Sequence, residues 1–270
     1  MDYRNTARSL CNSAKCLISS EEDDNLLFAA LKLRMALESI TYDRSKKYSD
    51  ELGPEVMKTW QPKKLMERML EVNPHVDQDT TLSCGEEPYP GGTPEVMRML
   101  GTDRVLNLKT LKKHYDALGS YLHTPTIHQL EAGKEHDYKK LRKRCNEIVS
   151  ALEDALSSPV WNARFSLQGN YECAECGNKI KRSLPTEMQK RIVYCWNCSA
   201  SYTMARVDAK KVTFEPRQHQ IECPIEDCDE ISLIWEKDLK LNEHWQCNGC
   251  HSELTIALGV STAKTSETPK

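Results

Sequence analysis

YECAECGNKIKRSLPTEMQKRIVYCWNCSASYTMA, residues 171–205, carries two CxxC pairs, Cys173/Cys176 and Cys195/Cys198, with eighteen residues between them. A pair of thiolates at that spacing sits on one tight turn. Two such turns brought together by a hairpin close four sulfurs into the tetrahedral cage that zinc prefers. Residues 223–250 repeat the arrangement: Cys223 and Cys228 form a wider first turn, CNGC supplies Cys247 and Cys250, and eighteen residues again separate the pairs. YCWNCSASYTMA aligns with QCNGCHSELTIA so that Cys195, Cys198, Thr203 and Ala205 match Cys247, Cys250, Thr255 and Ala257. Such an internal repeat marks a duplicated unit. The expectation is two zinc ions per chain.

The spacing fits a zinc ribbon twice, and Tyr202/Met204 and Leu254/Ile256 alternate with Thr203 and Thr255 as strand residues do. Four thiolates close the coordination shell, which makes the metal structural rather than catalytic. His244 and His251 lie close to the last pair, but each site already has four cysteines. Dithiol redox chemistry calls for a strand–CxxC–helix context that is absent here. The other four cysteines, Cys11, Cys16, Cys84 and Cys145, have no partner at ligand spacing and read as ordinary small residues.

Charge divides the two ribbons. Between Tyr171 and Arg206 six Lys/Arg face three acids, whereas between Ile221 and Ile256 two Lys face nine acids. The basic ribbon, residues 168–212, combines Lys179, Lys181 and Arg182 with Trp196 in its second knuckle, the minimal equipment for nucleic-acid contact. The alternative is that the lysines are a solvated face and Trp196 covers the small core. The acidic ribbon, residues 218–258, repels phosphates and suits a protein partner. Trp235 and Trp245 are expected to cover its core.

Upstream the chain reads as helical. Residues 26–40 are apolar on nearly every face, as in a helix at the centre of a bundle, with Asp23 or Asp24 available as a cap. Leu108, Leu111, Tyr115, Leu118 and Leu122 form an amphipathic stripe, and Tyr138, Leu141, Cys145, Ile148, Leu152 and Leu156 form another. The two can pack as an antiparallel pair joined by a turn around Pro125. Pro62 suits the first turn of a helix that stops near Pro74. Residues 75–93, polar and then rich in Pro and Gly, read as a loop, and 259–270 as a disordered tail. The fold class is therefore α plus small β: a helical bundle over residues 1–160 followed by two tandem four-cysteine zinc ribbons.

A net charge of -3 supplies no global attraction to polyanions. The longest apolar stretch, Leu26–Leu37, is interrupted by Lys32 and Arg34 and is too short to span a bilayer, and MDYRNTARSL lacks a signal-peptide pattern. No membrane association is expected, and cytoplasmic residence follows as the expectation. GxxxxGK[ST], GxSxG, HExxH and GxGxxG are all absent.

LLFAALKLRMALESITYDRSKKY, with its RxxxE pair Arg34 and Glu38, and LKKHYDALGSYLHTP resemble helical domains of the HEPN and DUF4145 type. The resemblance covers about half the chain and implies a setting in bacterial antiviral defence or nucleic-acid association. Ribonuclease members of that family carry an Arg followed by a His after four to six residues, and within these two stretches no Arg meets that spacing. The function this favours is a non-enzymatic zinc-binding adaptor. Its helical domain binds a partner or another copy, and its ribbons engage nucleic acid or protein. One alternative is a HEPN-like ribonuclease or toxin-type enzyme with a non-standard site at Arg34, Glu38 and His123 or His114. Another makes the ribbons purely structural.

Overall fold

The computed structural model describes the chain apart from residues 21, 90–91, 125, 132, 134–136, 163–167, 184–189, 209–210 and 260–270. Pro125 and nearly all of the expected tail thus lie outside the described residues. The chain divides into two units, Met1–Leu167 and Gln168–Lys270.

In the first unit, α1 (Tyr3–Ile18) begins at Asp2, whose carboxylate accepts the Asn5 N–H. It packs on α2 (Asp23–Ser45) through Ala7, Cys11, Ala14 and Ile18, a helical stripe of mostly small residues that allows close approach. Asp23 and Asp24 lie in the first turn of α2, which Glu22 precedes without a side-chain cap, so they act through the helix dipole rather than as the cap. A single 3-10 turn (Lys46–Tyr48) leads to α3 (Ser49–Met57). Helix α4 (Pro62–Val72) starts on its proline and ends before Pro74. The two amphipathic stripes become α5 (Leu108–Leu122) and α7 (Tyr138–Leu156), capped by Asn107 and Asp137, with the short α6 (Ile127–Glu131) between them. Leu26, Leu33, Leu37, Leu65, Met69, Leu111, Leu118, Leu141 and Leu152 share one core.

Two expectations are corrected here. Helix α2 is not covered on every side: Phe28, Leu31 and Met35 are 58%, 44% and 42% exposed, while Leu26, Ala29, Ala30, Leu33, Ala36 and Leu37 are buried. The neighbours α1, α4, α5 and α7 occupy its other faces and leave this stripe open. The run 75–93 is also not loop throughout. Thr80–Cys84 forms β1, antiparallel to β2 (Arg98–Asp103), with Thr81 and Thr102 joined by a 2.9 Å hydroxyl hydrogen bond. A polar strand whose partner lies beyond a Pro/Gly-rich turn has no hydrophobic alternation to announce it.

Strand β2 is tied to α2 by a buried ion pair. Arg44 Nη1 meets Asp103 Oδ2 at 2.7 Å, the side chains being 15% and 4% exposed. Arg44 Nε donates to the Val76 carbonyl, and Asp103 also accepts the Asn162 N–H. Asn162, at φ 53°, donates in turn to Asp43. The last described residues before the second unit are therefore fastened to α2.

The second unit is built from short antiparallel hairpins. β3 (Gln168–Glu172) pairs with β4 (Lys179–Ser183), and β5 (Arg191–Tyr194), β6 (Ser201–Arg206) and β7 (Val212–Pro216) form a three-stranded sheet. β8 (Gln218–Glu222) pairs with β9 (Ile231–Trp235), and β10 (His244–Gln246) with β11 (Glu253–Thr255). Among the described residues no helix is long and apolar enough to cross a membrane.

The Arg44–Asp103 pair and the exposed Lys15–Glu153 pair make contrasting predictions. Asp103→Ala leaves a buried guanidinium uncompensated and should cost about 3–5 kcal/mol in urea denaturation. Lys15→Ala removes an exposed pair and should cost at most about 1 kcal/mol. Equal losses would contradict the structural role given to Asp103.

Candidate metal centres

Each cage is assembled from two hairpin turns of the same design. In three of the four, the residue after the second cysteine donates its N–H to the carbonyl of the first: Gly177 to Cys173, Ser199 to Cys195, His251 to Cys247. Those three residues have φ of 70°, 62° and 58°, the left-handed conformation that lets a chain fold back sharply around a metal. The wider turn, with four residues between Cys223 and Cys228, closes through Cys228 N–H to the Ile225 carbonyl, with Asp227 left-handed at φ 65°.

The turns place Cys173 Sγ 3.6 Å from Cys198 Sγ and Cys176 Sγ 3.6 Å from Cys195 Sγ. In the other cage Cys223 lies 3.7 Å from Cys250, and Cys228 3.7 Å from Cys247. Within each group the four sulfurs all lie within 4.8 Å of one another. A disulfide needs about 2.05 Å. A tetrahedron with Zn–S bonds of about 2.3 Å has edges of about 3.8 Å. The donor sets fit two zinc ions, and both groups can form zinc-ribbon-like sites.

Neighbouring groups orient the ligands. Asn178 Nδ2 donates to Cys176 Sγ at 3.3 Å, and this hydrogen bond leads the influences that draw the thiol down to about 6. Ser252, 3.4 Å from Cys250, does the same there, also to about 6. Burial pushes the Cys198 thiol up. Tyr202 donates its hydroxyl to Cys173 Sγ at 3.2 Å while accepting the Ala174 N–H. Elsewhere Cys11 and Cys145 are buried in the helical core, which raises both thiols, Cys145 to about 11.

Tyr202 is fully buried. Its ring meets Tyr171 and Trp235 edge-on at 5.2 and 5.3 Å, and Tyr171 stacks on Phe214 at 5.3 Å. Trp235 thus packs with Cys173, Ile180, Val193 and Met204 around the first cage rather than covering the second. Trp245 stays with its own copy and donates to Ser232 Oγ. The seam between the copies is held by Arg217, which donates twice to Glu236 at 2.6 Å and holds that carboxyl down at about 2. Lys237 pairs with Glu175 at 2.9 Å.

The duplication is in register. Tyr194 pairs with Ser201 and Val193 with Tyr202, as Gln246 pairs with Glu253 and Trp245 with Leu254. His251 holds the turn position that Gly177 and Ser199 hold, and His244 Nδ1 hydrogen-bonds Thr255. Both histidines are thereby accounted for without a metal.

The residues named for nucleic-acid contact do not share a face. On β4, Lys179 is exposed and stands opposite Glu172, and Lys181 is partly exposed. Arg182, at the alternate parity, is 6% exposed and donates to the Tyr194 carbonyl. Trp196 is half-buried and lies outside the core cluster.

In the helical unit, Arg34 Nε is 3.9 Å from Glu38, the intrahelical pair. Tyr115, a partner the sequence did not single out, donates to Glu38 at 2.7 Å and lies under the Arg34 guanidinium at 4.2 Å. Burial and then the Glu38 bond push the Tyr115 phenol up to about 12. His123 is exposed just beyond α5, and His114 is buried further back. Arg68 and His75 stand with six residues between them, outside the stretches that carry the family resemblance. Arg68 is exposed and paired with Glu71, and His75 Nδ1 bonds Gln78. Comparisons with protein-family models, with curated proteins and with solved structures find no match.

Elemental analysis of protein purified without chelator should give two zinc ions per chain. Cys250→Ser and Cys176→Ser should each lose one, and His251→Ala should keep both. Loss of zinc from His251→Ala would assign the histidine to the cage instead.

Proposed function

We propose that this chain is a non-enzymatic zinc-binding adaptor, with a helical bundle over residues 1–160, a basic ribbon over 168–212 and an acidic ribbon over 218–258. The observation that carries the reading is the closure of both cages: four sulfurs at tetrahedral spacing leave a metal no open position for water or substrate. The rival ribonuclease site has less support, because Arg34 and Glu38 are already satisfied by each other and by Tyr115.

Two surfaces suit partners of different kinds. The open stripe Phe28, Leu31 and Met35 on α2 has the 3/4 spacing of a helix-pairing seam, which fits another copy of the chain. On the first ribbon Lys179, Lys181 and Trp196 are the residues suited to phosphates and bases. At the equivalent positions of the second ribbon, Ile231 and Leu233 are 49% and 56% exposed, among acids. An apolar patch with an acidic surround suits a basic protein surface. The defence setting comes from the family resemblance alone.

Zinc-loaded protein incubated with single-stranded RNA should leave it intact. Cleavage that disappears with Arg34→Ala or His123→Ala would replace the adaptor with the ribonuclease. In sedimentation, the wild type should self-associate and Met35→Lys should shift it toward monomer. A monomeric wild type removes self-association from the reading.

A further inference from the structure

Helix α7 opens with YKKLRKRC, residues 138–145, which places Lys139, Lys140, Arg142, Lys143 and Arg144 in its first two turns with no acid among them. Cations at a helix N-terminus oppose the macrodipole, each at about 0.3–1 kcal/mol. The fold does not require them there. Elsewhere on the unit charges are matched: Lys15 with Glu153, Arg104 with Asp154, Arg44 with Asp103, Arg144 with Glu147. Lys139, Lys140 and Lys143 are exposed, and none takes part in an ion pair among the described residues. Lys139, Lys143 and Asn146 follow one another at i, i+4 and i+7 along one face.

That face lines a groove of about 870 Å³, to which Tyr138 and Arg142 also contribute. Three acids lie on the same groove, Asp23, Asp137 and Glu147. Two are already engaged: Asp137 caps the Lys140 N–H, and Glu147 accepts from Arg144. Across on α5, His114 is 6% exposed, and its Nδ1 has no hydrogen-bond partner. Burial, then the charges of Arg144 and Lys113, push its pKa down, so the positive potential extends between the helices.

We infer that the α7 groove binds single-stranded nucleic acid, with Lys139, Lys140 and Lys143 on phosphates and Tyr138 and Asn146 within reach of bases. An anionic membrane fits less well, because α7 exposes no large apolar side chain to insert beside its lysines. This site is separate from the first ribbon, and the two are tested apart.

The probe is a fluorescently labelled 20-nucleotide single strand, titrated with the full zinc-loaded chain across a salt series. Lys139→Glu/Lys143→Glu should weaken binding at least tenfold and reduce the log–log salt slope by about 2, one per lost phosphate contact. Lys139→Arg/Lys143→Arg should bind like wild type. Unchanged zinc content and circular dichroism exclude misfolding as the cause. The groove assignment is overturned if wild type shows no binding at low salt, if the Glu pair binds normally, or if only vesicles of anionic lipid are bound. Binding abolished by Lys179→Glu/Lys181→Glu but not by the α7 pair would support the ribbon reading and overturn this one.

Discussion

The hydroxyl of Tyr202 joins the only two things that can hold the C-terminal unit together. It donates to Cys173 Sγ in the first cage, and its ring is the centre of the aromatic cluster formed by Tyr171, Trp235 and Phe214. A unit of short two- and three-stranded sheets buries too little apolar surface to fold on packing alone. Metal ligation compensates, because zinc binding at a site that does not exist in the unfolded chain is folding free energy. The phenol makes the two contributions cooperative: a Cys173 thiolate displaced from the cage leaves a buried hydroxyl with only the Ala174 N–H as partner. Trp235, delivered by the second copy, completes the same cluster.

This explains which parts were legible in the sequence. Cysteine ligation is local and its spacing is nearly fixed by the turn, so all eight sulfurs that converge were found from their intervals. The helices over 108–122 and 138–156 were legible for the same reason, since their stripes repeat within one element. What failed depended on something remote or on strand phase. Trp235 was assigned to the wrong copy because an aromatic residue carries no label for which of two adjacent small cores it will fill. Lys179, Lys181 and Arg182 looked like one basic cluster. Once β4 begins at Lys179, the period of two turns Arg182 inward beside Ile180. The open face of α2 was hidden because an all-round apolar helix gives no sign of which stripe its neighbours will leave uncovered.

Charge placement separates residues needed by the fold from residues that are not. Arg44 and Asp103 are buried, mutually bonded and further tied to Val76 and Asn162, as charges removed from water must be. Arg34 and Glu38 are half-buried and likewise completed, by Tyr115. The lysines at the start of α7 are the opposite case. They are exposed and without an ion pair among the described residues, at the helix end where positive charge costs stability, so their presence calls for an explanation outside the fold.

The two ribbons show how far duplicated copies can part while keeping one backbone. Register is kept throughout the second hairpin of each, yet the position that is Tyr202 in the first copy is Leu254 in the second. Leucine reaches no sulfur and forms no aromatic cluster, and the second copy has given its own tryptophan on β9 to the first. Its cage is left with Cys247 as the one buried ligand, whereas the first buries both Cys173 and Cys195. The first cage therefore has packing and metal acting together, while the second rests far more on its metal. The hairpin face opposite the core has diverged too, Lys179 and Lys181 giving way to Ile231 and Leu233. Because inward positions are held by the cage and shared core, divergence of charge and apolarity concentrates on that outer face, where partners are met.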